Sequence, residues 1–244
     1  MSTLPILVVE HEAGCPPAWF GEWLLAEGAV LDVLRPYAGD RLPGDLSGHG
    51  GLLVLGGSMG ADDDADHPWL TDVKGLIREA AATGVPTLGI CLGHQLAAVA
   101  LGGTVHVNPR GQQIGVLDIG WTDVAADDPL TGRLPRPSGG VQWNNDVVAE
   151  PPPGTVVLAA TATGELQAAR FAPTVWGVQW HPEAGEEIVT AWTEDERDDA
   201  AARGVDLDAY VRDVARATDR LRETWAQLAA GFVDLLDADA RAVS

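Results

Sequence analysis

The chain has 244 residues, nearly half of them apolar, which is enough to bury a full core and fits one domain better than two. Its formal net charge of −21 comes from 36 acidic against 15 basic residues spread along the sequence, a balance that repels phosphate backbones and anionic membranes and argues against nucleic acid or a membrane as partner. Two cysteines, Cys15 and Cys91, make no disulfide framework, and the first apolar run, Leu4–Val9, is too short for a membrane span and follows no signal pattern, so a cytoplasmic protein with reduced thiols is expected.

In chain order, Pro5–Val9 reads as a strand, Ala18–Glu27 as a helix stopped by Gly28, Ala29–Leu34 as a second strand and Gly51–Leu55 as a third. Trp69–Ala82 reads as a helix ending near Gly84, Val85–Ile90 as a fourth strand, and Leu92–Leu101 as a helix closed by Gly102 and Gly103. Short β-rich runs alternating with helices imply an α/β fold: an open, mostly parallel twisted sheet with helices on both faces. After Gly103 the helices thin out. Val105–Val107, Ile114–Ile119, Val141–Trp143, Val156–Ala160, Leu166–Phe171 and Val175–Val178 read as strands, some of them antiparallel, and Pro151–Gly154 as a turn rather than a linker. Thr193–Arg203 is charged and alanine-rich, a helix or a connector. Beyond it Leu207, Val211, Val214, Thr218, Leu221, Trp225, Leu228 and Phe232 recur at helical steps. That stripe is expected to pack on its own domain, away from the catalytic mouth; a partner face is the alternative. The expected division is a catalytic domain over 1–190 and a helical extension over 191–244.

Gly89-Ile90-Cys91-Leu92-Gly93-His94-Gln95 carries the strongest chemistry. It falls between a strand and a helix, and a nucleophile on so sharp a turn needs small residues two positions away on each side, which Gly89 and Gly93 supply. A helix N-terminus favours an anion, so Cys91 is placed to react as a thiolate. Cys15, in a proline-bounded loop, reads as having no catalytic role. Gln179-Trp180-His181-Pro182-Glu183 follows the last strand. His181 can take the thiol proton and deliver it to a leaving amine, Pro182 keeps His181 out of helical geometry, and Glu183 can reach back to fix the imidazole. His94 could line the site; His11, His49 and His67 fall in loops and His106 in a strand. No spacing suits a metal, and Asp62–Asp66 reads as a solvated acidic face, so neither metal nor cofactor is expected. After the third strand, Gly56-Gly57-Ser58-Met59-Gly60 lets backbone N–H groups approach a substrate oxygen. The expected oxyanion hole pairs the N–H of Gly57 with that of Leu92.

Together these segments resemble the class I, triad-type glutamine amidotransferases over about residues 4–190. The resemblance implies a site at the C-terminal ends of the strands, attack of Cys91 on the side-chain amide of glutamine, and water resolving a γ-glutamyl thioester. It also implies that Gln95 helps hold the substrate and that the backbone near Trp143 meets its amino-acid end. Asn144 stands where the family often has histidine, and Ser58 where many relatives have proline. Only about sixty residues follow Glu183, too few for a synthetase domain, so released ammonia would go to another chain or to solvent. Three functions compete. The first is an amidotransferase acting with a separate synthetase or ligase subunit. The second is a stand-alone γ-glutamyl peptidase or hydrolase, and the third a non-enzymatic binding module on the same fold. The intact triad argues against the third.

Overall fold

The computed structural model describes residues 4–194, 196–197, 200 and 204–242. Its elements in chain order are β1 (Ile6–Val9), α1 (Ala18–Ala26), β2 (Leu31–Leu34), β3 (Gly51–Val54), α2 (Trp69–Thr83), β4 (Thr87–Ile90), α3 (Leu92–Ala100), β5 (Thr104–Val107), β6 (Gln113–Asp118), β7 (Gly139–Asn144), β8 (Asp146–Glu150), β9 (Val156–Ala160), β10 (Leu166–Ala172), β11 (Val175–Val178), α4 (Glu186–Glu194) and α5 (Leu207–Ala242). The main sheet has the order β2-β1-β3-β4-β11-β10-β9. β2, β1, β3, β4 and β11 are parallel, with Val8 beside Val33 and Leu53, and Gly89 beside Gly177; β10 and β9 add an antiparallel edge.

Both faces of this sheet are covered, and the strand sequences show why. Side chains alternate across a strand, so a strand buried on both faces reads as a continuous apolar run. In β1, Ile6 and Val8 join a core with Phe20 and Leu24 of α1 and Leu221, Trp225 and Phe232 of α5. Leu7 and Val9 point the other way, into a core with Leu70, Val73 and Ile77 of α2 and Leu96 of α3. α2 ends where Gly84 turns into the left-handed region at φ +87°, its N–H closing on the carbonyl of Ala80.

Two small antiparallel pairs, β5 with β8 and β6 with β7, stand beside the main sheet. β8 is missing from the sequence reading: Asp146 to Glu150 is a short run with an acid at each end, and its place comes from non-local pairing of Val147 and Val148 with β5. The segment expected to begin at Thr193 is partly taken up by α4, which starts earlier; residues 195, 198–199 and 201–203 of that expectation lie outside the described residues.

The apolar stripe on α5 is buried as the spacing requires, with Val214, Trp225, Leu228 and Phe232 fully enclosed. Its middle and C-terminal turns lie on the sheet and α1, but its first turn does not keep clear of the catalytic mouth as expected. Tyr210 donates a hydrogen bond to the carbonyl of Gln142 at 3.0 Å and stacks on Trp143 at 5.6 Å. The charged connector before α5 concealed this, because nothing in its composition shows where the helix starts relative to the sheet. Among the described residues no helix is long and apolar enough to cross a membrane.

Candidate active site

The backbone turns sharply at Cys91, between the end of β4 and the start of α3. Cys91 has φ 52° and ψ −104°, a conformation that strains any residue with a side chain. Close backbone packing enforces it: a Cβ on Gly89 would run into the carbonyl of Gly93, and a Cβ on Gly93 into the carbonyl of Val54. The Cys91 N–H is held by the carbonyl of Val178 at 2.8 Å, and the Cys91 carbonyl accepts from the Gln95 N–H at 3.1 Å, starting the helix. The thiol is left at the N-terminus of α3, only 6% exposed.

His181 and Glu183 arrive from the segment after β11, where the His181 N–H bonds to the carbonyl of Val141 at 2.8 Å. His181 Nδ1 lies 2.6 Å from Glu183 Oε1, both side chains buried, and Cys91 lies close enough for its charge to act on the imidazole. Burial works against a charged imidazole, but the charges of Glu183 and Cys91 and their hydrogen bonds outweigh it, and the His181 pKa is pushed up to about 10. A sulfur, an imidazole and a carboxylate in a buried row can form a thiolate–imidazolium pair and shuttle one proton.

Cys91 opens into a cavity of about 420 Å³ lined by Gly57, Ser58 and Met59, by Gln95, by Val107 and Gln112, by Trp143–Asp146 and by Glu196. All three residues expected to hold substrate, Gln95, Trp143 and Asn144, lie on this wall, as does Gly57 of the expected oxyanion pair. Leu92 abuts Gly57: a Cβ at Gly57 would meet the Leu92 side chain at 3.0 Å and His11 at 3.1 Å. Gln95 Nε2 donates to the carbonyl of Asp146 at 3.1 Å. Asn144 Nδ2 donates to Gln113 and to the same Asp146 carbonyl, which leaves its buried Oδ1 without a donor. A slightly larger cavity of about 460 Å³, between β6, the Pro135–Gly139 loop and α5, contains neither Cys91 nor His181.

Several residues near the sulfur went unassigned in the sequence. Gln179, two positions before His181, points Nε2 at Cys91 Sγ at 3.6 Å and accepts from Gln95 Nε2 at 3.3 Å, so one amide joins Cys91 to the Gln95 side of the cavity. Its presence in the Gln-Trp-His-Pro-Glu motif was the available signal. Trp192 and Tyr210 come from the C-terminal part of the chain, where sequence offers only a helical stripe.

Cys15 lies in a loop, as its prolines suggested, and is itself buried there. It is 5% exposed, donates from its thiol to Glu12 at 3.3 Å, and lies close enough to feel the charges of Glu183 and Cys91. Burial first, then the Glu12 charge, raises its pKa well above the usual thiol range. His94 does not line the cavity: it is fully buried against Phe171, ring centroids 5.1 Å apart, and burial lowers its pKa to about 3. His11 is buried as well, accepting from Trp69 Nε1 at 3.1 Å. No group of side chains suited to a metal occurs among the described residues.

The fold and the row at Cys91 define an α/β enzyme of the cysteine-nucleophile amidotransferase kind. The family model for glutamine amidotransferase class-I matches residues 39–191, and the chain belongs to that family. It is similar to a glutamine-hydrolyzing GMP synthase subunit of Halobacterium salinarum, 35% identical over 150 residues that cover 59% of this chain and 80% of that one. To the protein of the same name from Methanosarcina barkeri it is 40% identical over 119 residues, 45% of this chain and 59% of that one. A crystal structure of a glutamine amido transferase from Methylobacillus flagellatus superposes with TM-score 0.83 at 27% identity over 96% of each chain. A glutamine amidotransferase from Thermotoga maritima shares the fold, with TM-score 0.84 at 23% identity, over 96% of this chain and 99% of that one.

Proposed function

We propose that the chain hydrolyses the γ-amide of glutamine or of a γ-glutamyl compound through a covalent intermediate on Cys91. The observation that carries this reading is the buried row of Cys91, His181 and Glu183 at a strained strand-to-helix turn. The Cys91 thiolate adds to the γ-carbonyl carbon, and the carbonyl oxygen takes the negative charge facing the N–H groups of Gly57 and Leu92. Collapse breaks the C–N bond as His181 gives its proton to the leaving nitrogen, so ammonia or an amine departs and a γ-glutamyl thioester remains. Water then adds to the thioester while His181 takes its proton, and the γ-carboxylate product leaves as Cys91 is restored. Glu183 keeps Nδ1 protonated and steadies the imidazolium.

Gln95, Trp143 and Asn144 hold the donor in this scheme. Asn144 is fixed on this wall through Nδ2, which donates to Gln113 and to the Asp146 carbonyl. Residues 1–190 and the extension 191–244 act as one catalytic unit, because Trp192, Glu196 and Tyr210 stand at or beside the site wall. The relatives named as part of a glutamine-hydrolyzing synthase support delivery of ammonia to a separate synthetase chain. A cavity of about 420 Å³, within the range for small-molecule sites, favours the second reading, a stand-alone hydrolase of larger γ-glutamyl amides.

The deciding experiment is a screen of the purified protein for ammonia or amine release from glutamine and several γ-glutamyl amides, with and without a candidate ligase. Release from glutamine that rises with the ligase supports the partnered reading. Efficient turnover of γ-glutamyl amides by the chain alone supports the hydrolase. No release from any donor rejects both.

A further inference from the structure

The His181 ring is held at Nδ1 by Glu183 at 2.6 Å, with Cys91 close enough for its charge to act on the imidazole. A ring held by a hydrogen bond at one nitrogen can still tilt about that contact. Gly56 closes one edge, since a Cβ there would sit 3.0 Å from His181 Cε1. The flank is closed by Trp192 of α4, whose ring centroid lies 4.6 Å from that of His181 at an interplanar angle of 60°. Trp192 is anchored in turn: its Nε1 donates to the carbonyl of Gly14 at 2.8 Å, and its ring lies 6.1 Å from that of Trp143 on the cavity wall.

We infer that Trp192 is a positioning residue that holds the His181 ring in line with the Cys91 sulfur and favours its charged form. The inference rests on the triad reading above. An indole at this distance stops the tilt by contact, shields the ion pair from water, and offers its π system to an imidazolium within cation–π range. The other charged or titratable groups around the ring are Glu183, Cys91 and, beside them, Cys15 and Tyr210. None of them supplies a second aromatic flank to the imidazole. The C-terminal part of the chain therefore contributes to the chemistry as well as to stability.

The test uses the full chain with Trp192→Leu and Trp192→Phe, assayed on glutamine and γ-glutamyl-p-nitroanilide, with Cys91 alkylation by iodoacetamide followed against pH. A positioning role predicts that the Leu variant loses about tenfold in kcat with KM within about twofold of wild type. It also predicts that the upper inflection of the alkylation profile moves to lower pH, and that Phe restores most of both. A second measurement keeps the inference exposed if the Leu variant folds poorly: wild-type protein carrying 5-fluorotryptophan, with the Trp192 resonance assigned by its loss in the Phe variant. That resonance should shift when Cys91 is alkylated and again as His181 titrates. Wild-type kcat and inflection in both variants, or a resonance indifferent to alkylation and pH, overturns the inference while leaving the triad intact. If the wild-type protein turns over neither donor and iodoacetamide does not prefer Cys91 to Cys15, the triad reading fails and the inference falls with it.

Discussion

The ring of Trp225, in the middle of α5, packs 4.9 Å from the ring of Trp180, the residue immediately before His181. Both indoles are fully buried. Trp225→Ala should therefore cost a core-like amount of stability, on the order of 3–5 kcal/mol. Urea or thermal unfolding measures it, with light scattering alongside. Unchanged unfolding together with a shifted mass would mean that the stripe serves a partner instead.

Glu183→Gln keeps the size of the side chain and removes its charge. His181 would lose the partner that raises its pKa and fixes its tautomer. Turnover should fall on the order of 10³- to 10⁴-fold. The fold should survive, as judged by circular dichroism. Near-normal turnover in a steady-state assay would remove Glu183 from the mechanism.

Gly93→Ala tests the elbow. The added methyl collides with the Val54 carbonyl, which is backbone and cannot swing aside. The Cys91 turn must open, and Cys91 alkylation and donor turnover should drop together. Gly75, where a Cβ meets nothing within 4 Å, is the control: Gly75→Ala on α2 should leave activity unchanged and stability equal or improved by roughly 0.5–1 kcal/mol.

Stability against pH has two opposed histidine contributions. Burial, joined by the charge of His67, lowers the His11 pKa to about 3, and burial lowers His94 to about 3. The unfolded chain binds these protons below about 6.5 and the folded one does not until about 3, so stability is held above 6.5 and lost as pH falls. Each contributes a slope of about 1.4 kcal/mol per pH unit in that window. His181 runs the other way: its raised pKa contributes stability that is complete below about 6.5 and lost as pH rises through about 10. Urea unfolding between pH 4 and 7 should show the acid slope, and His94→Asn should remove about one share of it. A flat profile would mean that neither histidine is buried neutral.

The parallel core was legible because β1, β3 and β4 are short apolar runs set off by turn residues, Pro5 before β1, Gly50 and Gly56 around β3 and Pro86 before β4, with helices between the strands. The elbow was legible because only glycine fits beside a nucleophile at that turn, as Gly89 and Gly93 show. What sequence hid was non-local. Cys15 sits in a loop of prolines and glycine, yet the fold buries it beside His181. β8 exists only because Val147 and Val148 find β5. Trp192 and Tyr210 lie far from the motifs in the chain and reach the site by tertiary packing, which no local pattern encodes.

The most direct test of the account maps covalent attachment. The protein is treated with a glutamine-like diazo-ketone, and separately quenched in acid during turnover of γ-glutamyl-p-nitroanilide, and the peptides are read by mass spectrometry. Cys91 stands at the turn where α3 begins, whereas burial and the Glu12 charge hold Cys15 protonated. The account predicts one adduct, on the peptide carrying Cys91, absent in Cys91→Ser, with Cys15 unmodified. An adduct mainly on Cys15, or turnover that survives in Cys91→Ser, would contradict it.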